Sequence, residues 1–311
     1  MTRAFFLGYN TNGLAHHAFP DACQILSEEG YEGIAITLDH DLLERVDDFR
    51  LTFKISPEEL AKITAGYGLK TVVETGARFL LDPREKHTPT LFDKNASRVK
   101  LRQEYYYRAV DLAAEMKSTC VSLWSGTVPA DYLKPKGTAS ADHLKQAETQ
   151  HQNLLREEFL KCFCEALLPV MEYAETRHVK IALEPEPGML VEKTSDYADL
   201  CAILAEIDAH AAQNLWLTLD VGHLYCMNEP IYQTIIAYSH RLINIHLDDA
   251  RRNVHEHLRL GNGEISFKEI LHAITDAKFS GGVCVELSRH SHNAPETVRN
   301  TRNFIRKEWK I

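Results

Sequence analysis

Short apolar and β-branched runs recur along the chain, each parted from the next by a longer stretch with helical spacing. The first is Ala4-Phe5-Phe6-Leu7-Gly8, and the second runs from Gly33 to Leu38. Further runs span Lys70 to Glu74, Cys120 to Trp124, Val179 to Glu184, Leu215 to Asp220, Leu242 to Leu247 and Val283 to Leu287. These read as strands, because β-branched and aliphatic residues bounded by turn residues suit a pleated, buried element. Helices are predicted over about 20–30, 98–117, 144–177, 229–240, 266–278 and 295–309. Two more are marked by their first turns. Ser56-Pro57-Glu58-Glu59 supplies a capping hydroxyl, a first-turn proline and acids that suit the dipole, and Thr194-Ser195-Asp196 opens another helix.

Strict alternation of strand and helix over all 311 residues predicts one (β/α)₈ barrel domain, 1–311, rather than two domains. An open doubly wound sheet is the alternative, although no G-x-G-x-x-G follows the first strand. Such barrels typically need about 250 residues. The excess falls in two long loops, 75–97 and 125–143, each following a strand and therefore on the face that carries barrel active sites.

Four successive strands end in a polar side chain that can bind a metal: Glu184, Asp220, His246 and Glu286. In a parallel barrel those ends converge on one mouth. Three carboxylates brought together without a counter-charge resist ionisation, and a divalent cation removes that cost. Three carboxylates and one imidazole suit one divalent metal ion: Mn²⁺, Mg²⁺, Co²⁺ or Zn²⁺.

Composition narrows the partners. The 35 Lys+Arg against 44 Asp+Glu give a net charge of −9, which argues against nucleic acid or an anionic membrane. No apolar run reaches the roughly 18 residues of a membrane span, and MTRAFFLGYN is too short for a signal-peptide core. Seven scattered cysteines without a C-x-x-C pair point to reduced thiols and a cytoplasmic location.

The chain resembles the xylose-isomerase-like TIM-barrel superfamily, which includes sugar isomerases and epimerases, inosose dehydratases and endonuclease IV type nucleases. The residues that carry the likeness are Leu183-Glu184-Pro185, Leu219-Asp220-Val221-Gly222-His223, Ile245-His246-Leu247-Asp248-Asp249, Leu260-Gly261-Asn262-Gly263-Glu264-Ile265 and Val285-Glu286-Leu287. The resemblance implies that Glu184, Asp220, His246 and Glu286 are the single-metal quartet of the sugar epimerases. It also implies that His223 and Arg252 contact the substrate and that His257 is akin to an extra metal-binding histidine of the nucleases. Glu74 and Trp124, ending the third and fourth strands, are further pocket-lining candidates.

In the ketose epimerases the metal binds two adjacent substrate oxygens and stabilises an enediolate, while two glutamates remove and return a proton. By resemblance Glu184 and Glu286 hold those roles, the substrate is a small sugar-like molecule, phosphorylated or not, and a homodimer is allowed. A departure stands beside this. The epimerases carry a second glutamate about six residues past the fifth-strand ligand, where this chain has Leu190; Glu186 is nearer.

Three rival functions remain. An inosose-type dehydratase would expel a β-hydroxyl from the same enolate. A nuclease would need histidines on early strands, yet those strands end Glu74-Thr75-Gly76 and Trp124-Ser125-Gly126, leaving Asp248 and His255 as candidates for a second metal. A barrel that only binds a metabolite is the third. Arg78, Arg84, Lys86 and His87 in the long third loop could meet a phosphate or carboxylate, or simply be solvated. His16, His17, His290 and His292 follow strands one and eight and could face the mouth.

Overall fold

The computed structural model describes residues 4–128 and 142–310. Eight parallel strands close into a barrel: β1 (Phe6–Asn10), β2 (Gly33–Thr37), β3 (Lys70–Glu74), β4 (Val121–Trp124), β5 (Ile181–Glu184), β6 (Leu215–Asp220), β7 (Leu242–Leu247) and β8 (Gly282–Val285). Each strand pairs with its sequence neighbours, and β1 closes the ring by pairing with both β2 and β8. This is the (β/α)₈ architecture, and the open sheet is excluded.

The helices form where the local chemistry favours them. Ser56 accepts a hydrogen bond from the Glu59 backbone N–H at 3.2 Å and starts the helix Pro57–Gly66. Asn95 does the same for Ala96–Met116 through the Ser97 N–H at 2.9 Å. The helix after β5, Thr194–Ile207, stops where Asp208 turns extended and caps a second short helix, Ala209–Asn214, by accepting from the Ala211 N–H.

Three local expectations shift. The first strand lies two residues later than the apolar run suggests, because its register with β2 and β8 decides its place. Phe5 instead packs edge-on against Trp309 outside the ring. Polar Asn10 completes the strand, its Oδ1 accepting from Thr37 Oγ1 at 2.6 Å. Two antiparallel hairpins, Leu43–Arg45 with Leu51–Phe53 and Asp249–Arg251 with Val254–Leu258, follow β2 and β7. After β6 the chain enters the helix Val221–Cys226 at once, before the expected one, which spans Ile231–Ala237. The long loop 75–97 is present and packs Leu80, Leu81, Leu91 and Phe92 inward. Of the loop expected over 125–143, residues 129–141 lie outside the described residues.

The barrel interior changes character along its axis. At the N-terminal end Phe6, Ala35, Val72, Cys120, Ala182, Ile243 and Cys284 form an apolar plug, separate from the core between strands and helices. Above it the inward positions turn polar: Ser122 Oγ donates to Thr218 Oγ1 at 2.9 Å, and Asn244 Nδ2 donates to Glu74 Oε1 at 3.2 Å. A register shift between β6 and β7 lets Leu217 face Leu242 but Thr218 face Asn244. Ile243 is thus an extra residue, a β-bulge. It joins the interior plug, whereas Leu242 and Ile245 belong to the outer core.

The Leu260–Ile265 turn is built around one carboxylate. Asp249, 1% exposed, accepts from the backbone N–H groups of Gly261, Gly263 and Ile265 at 2.8, 2.8 and 3.1 Å. A Cβ at Gly263 would lie 2.3 Å from Asp249 Oδ1, so no larger residue fits there. Asp249→Ala leaves the buried N–H groups of Ile265 and Ala250, and the less buried ones of Gly261 and Gly263, without this acceptor, and is expected to cost about 3 kcal/mol in urea unfolding. A loss below about 1 kcal/mol would show that this carboxylate does not hold the turn.

Candidate active site

Strands β5 to β8 deliver Glu184, Asp220, His246 and Glu286 to one point. One donor atom from each lies within 4.8 Å of the other three, and all four residues are buried. His246 Nδ1 is 3.0 Å from Glu184 Oε1, 2.9 Å from Glu286 Oε2 and 4.0 Å from Asp220 Oδ2. The ion-pair partners of these carboxylates are histidines.

Each ligand candidate is oriented by a second contact. Asp220 uses Oδ1 to cap the helix that follows, accepting from the His223 N–H at 2.9 Å. Its Oδ2 is buried and has no hydrogen-bond partner. Glu184 Oε2 accepts from Trp124 Nε1 at 2.7 Å, and Glu286 Oε1 accepts from Asn12 Nδ2 at 2.7 Å. His246 turns Nε2 toward Glu74 Oε1 at 2.9 Å, which leaves Nδ1 facing the carboxylates. A buried carboxylate behind a histidine is the arrangement that fixes a metal-binding imidazole. A buried, unpartnered Asp220 oxygen among oxygen and nitrogen donors fits a divalent ion.

The charges are strongly coupled. Burial disfavours a proton on His246, yet Glu184, Glu74 and Glu286 hold its pKa well above the ordinary value. Burial also acts to raise Glu286, but His246, His257 and His223 outweigh it and hold the carboxyl below its usual range. For Glu74 burial prevails over His246, and its pKa is raised.

A cavity of about 480 Å³ opens above this quartet, lined among others by Asn12, Trp124, Glu186, His255, His257 and Glu286. Trp124 therefore serves both as a wall and as the donor to Glu184. His223 lies beneath, its Nδ1 3.7 Å from Glu184 Oε1 and its Nε2 3.8 Å from Glu186 Oε2. Its motif neighbour Gly222 is required by contact, since a Cβ there would fall 2.2 Å from Asp248 Oδ1. His257 Nδ1 is 2.8 Å from Asp248 Oδ2, and together with Asp220 they form another metal-competent group. His223, His255 and His257 form a further one. Burial raises Glu186 to about 7, against the pull of His223.

Two expected pocket residues fall elsewhere. Glu74 is not a wall but sits behind His246. Arg252 is exposed at the hairpin turn, over the Tyr225 ring, with Nη1 3.0 Å from Asn228 Oδ1. The antiparallel hairpin carries the chain outward between His246 and Arg252, so a spacing of six residues does not return it to the quartet. Asn12 and Asn244 were not foreseen. A first strand extended to Asn10, ending on a polar residue as later strands do, would have pointed to the first.

His87 braces the wall from the side. Its ring stands edge-on to Trp124 at 4.9 Å, and Nδ1 contacts the Gly76 carbonyl. Burial pushes its pKa down to about 4. An unfolded histidine titrates near 6.5. Below that pH the unfolded chain binds a proton that the folded chain refuses, so stability falls as pH drops toward 4. The His87→Gln variant should lose about 1–2 kcal/mol less than the parent between pH 7 and 5, after allowance for partial exposure. Equal losses in urea titrations at the two pH values would remove this role.

Residues 23–308 match the xylose isomerase-like TIM barrel family model. The chain belongs to that family. This xylose isomerase-like protein is 28% identical over 122 residues to an uncharacterized protein of Methanocaldococcus jannaschii, covering 39% of this chain and 41% of that protein. It is 22% identical over 177 residues to an inosose dehydratase of Clostridium perfringens, covering 51% of this chain and 58% of the dehydratase. The chain thus aligns with about half the length of these relatives. Among solved structures, a D-allulose 3-epimerase from Methylomonas sp. superposes with a TM-score of 0.69 at 14% identity, covering 99% of both chains. The 3-keto-D-glucoside 4-epimerase of E. coli superposes with a TM-score of 0.70 at 13% identity, covering 97% of this chain and 99% of that one. At such identities the likeness is one of fold.

Proposed function

We propose that this protein is a divalent-metal-dependent isomerase or epimerase that removes and returns a proton on the carbon beside the carbonyl of a small sugar-like substrate. The carrying observation is the pairing of Glu184 and Glu286. They end the outer two of four consecutive strands, flank Asp220 and His246, and have their second oxygens held by Trp124 and Asn12. Glu184, Asp220, His246 and Glu286 would hold the ion, which when bound supplies Lewis acidity toward substrate oxygens.

The rest is done by the chain. Glu286 reaches the cavity wall and is kept anionic, as a base must be. The Asn12 bond aims its carboxylate, and the Trp124 bond aims that of Glu184. All four residues are buried, with Glu286 reaching the cavity wall. The sugar epimerases that share the fold, and the inosose dehydratase that aligns with half the chain, support a polyhydroxylated substrate.

The test is deuterium incorporation from D₂O by the metal-loaded protein, followed by NMR on a panel of ketoses and inososes. Exchange at the carbon beside the carbonyl with retained mass apart from the label is expected. Absence of exchange across the panel overturns the reading. A dehydratase is the second reading, favoured by the Clostridium perfringens relative. It shares the proton removal but ends with loss of one water, which mass spectrometry of the same samples resolves.

A further inference from the structure

The lining of the cavity carries both signs of charge. Its carboxylates, Glu186 and Glu286, belong to or adjoin the quartet. Arg78 and Lys86, from the loop after β3, and Arg289, from the turn after β8, line it as well. These cations stand in a chain whose net charge is −9, so they do not reflect the overall composition. His16 and His292 also line the cavity.

The wall is also held in place. Ala77 and Arg78 have φ angles of 49° and 21°, a left-handed conformation that costs non-glycine residues of order 1 kcal/mol or more each. The strain is held by hydrogen bonds on each side. The Ala77 N–H donates to Tyr105 Oη at 3.2 Å, and the Arg78 carbonyl accepts from the His87 N–H at 2.7 Å. Arg289 is anchored by Nη2 on the His255 carbonyl at 3.2 Å. Arg78 Nε lies 3.6 Å from Asp39 Oδ2, and no carboxylate pairs with Lys86 among the described residues. All three cations line a cavity large enough for a six-carbon sugar bearing an added group, and Arg78 also lines a smaller one beside Asp39 and Asp41.

We propose that the substrate carries an anionic group, phosphate or carboxylate, remote from its reactive carbon, and that Arg78, Lys86 and Arg289 bind that group. This rests on the isomerase reading for the reactive end and supplies the substrate class that the reading lacks. Charge-assisted hydrogen bonds to such a group, in a fork geometry for the two arginines, are the strongest polar contacts the wall can make.

Calorimetric titration of the metal-loaded protein with D-fructose, D-fructose 6-phosphate and D-fructuronate tests it without any need for turnover. At least one charged ligand should bind about tenfold or more tighter than D-fructose at low salt. That advantage should shrink as KCl is raised and vanish in the R78Q/K86Q/R289Q variant, whose metal affinity stays unchanged. Which charged ligand gains identifies phosphate or carboxylate. Equal binding of all three, failure of all three to bind, or an advantage that survives in the variant overturns the proposal. Tight binding of a charged ligand with no deuterium exchange would sink the isomerase reading and leave this one standing. Exchange confined to the neutral sugar would do the reverse.

Discussion

Asp220→Asn is expected to abolish the metal-dependent stabilisation while leaving the fold intact. The two oxygens of Asp220 do different work: Oδ1 caps the helix Val221–Cys226 through the His223 N–H, and Oδ2 is buried without a hydrogen-bond partner. An asparagine keeps the capping oxygen and presents an amide N–H₂ where a cation should sit. A ligand that binds only the folded state at about 1,000 times its Kd adds roughly 4 kcal/mol, or about 6 °C in Tm for a chain of this size. The parent protein should therefore melt about 6 °C higher with saturating Mn²⁺ than with chelator, and the variant should show no rise. Melting curves with and without the ion decide it. An equal rise in both proteins would place the ion elsewhere.

The second large effect concerns proton transfer. Glu286→Gln should lower deuterium exchange by about 10³-fold, because the base is gone. Metal affinity should fall as well, by about 10- to 100-fold, because Asn12 Nδ2 donates to Oε1. A glutamine cannot offer oxygen both to Asn12 and to the ion, so two N–H₂ groups compete. Adding Asn12→Asp gives the glutamine amide an acceptor and frees its oxygen. The double variant should recover metal affinity without recovering exchange. Recovery of both, or of neither, would show that Glu286 is not the base or that Asn12 does not orient it.

The quartet was legible because the four strands β5 to β8 carry Glu184, Asp220, His246 and Glu286 at their C-terminal ends or one residue away, after apolar runs whose ends a barrel must bring together. Convergence followed from topology alone. What supports the quartet was not legible. Asn12 and Trp124 lie far from their glutamates in sequence, and a hydrogen bond across the barrel leaves no local spacing to read. Glu74 looked like pocket lining because it too ends a strand, but Asn244 and His246 draw its carboxylate inward. Arg252 followed a family spacing that the hairpin after β7 carries outward. The alternation Val254-His255-Glu256-His257-Leu258 held the hint of that hairpin, and it brings two histidines to the cavity.

The bulge at Ile243 bears on which changes of chain length this barrel tolerates. With two consecutive residues, Ile243 and Asn244, turned inward, the strand after the bulge is one step out of phase with the strand before it. Removing Ile243 would leave Leu242 outward and Asn244, His246 and Asp248 inward, at the loss of one apolar side chain from the plug. Removing Ile245 would instead swing His246 and Asp248 out among the helices. The same extra residue sets its carbonyl so close to Gly281 that a Cβ there would lie 1.9 Å from the oxygen. A descendant that shed Ile243 would lose that carbonyl from position 281, leaving the Phe279 ring, whose Cζ would lie 2.7 Å from a Cβ there, as what still favours glycine at the foot of the next strand.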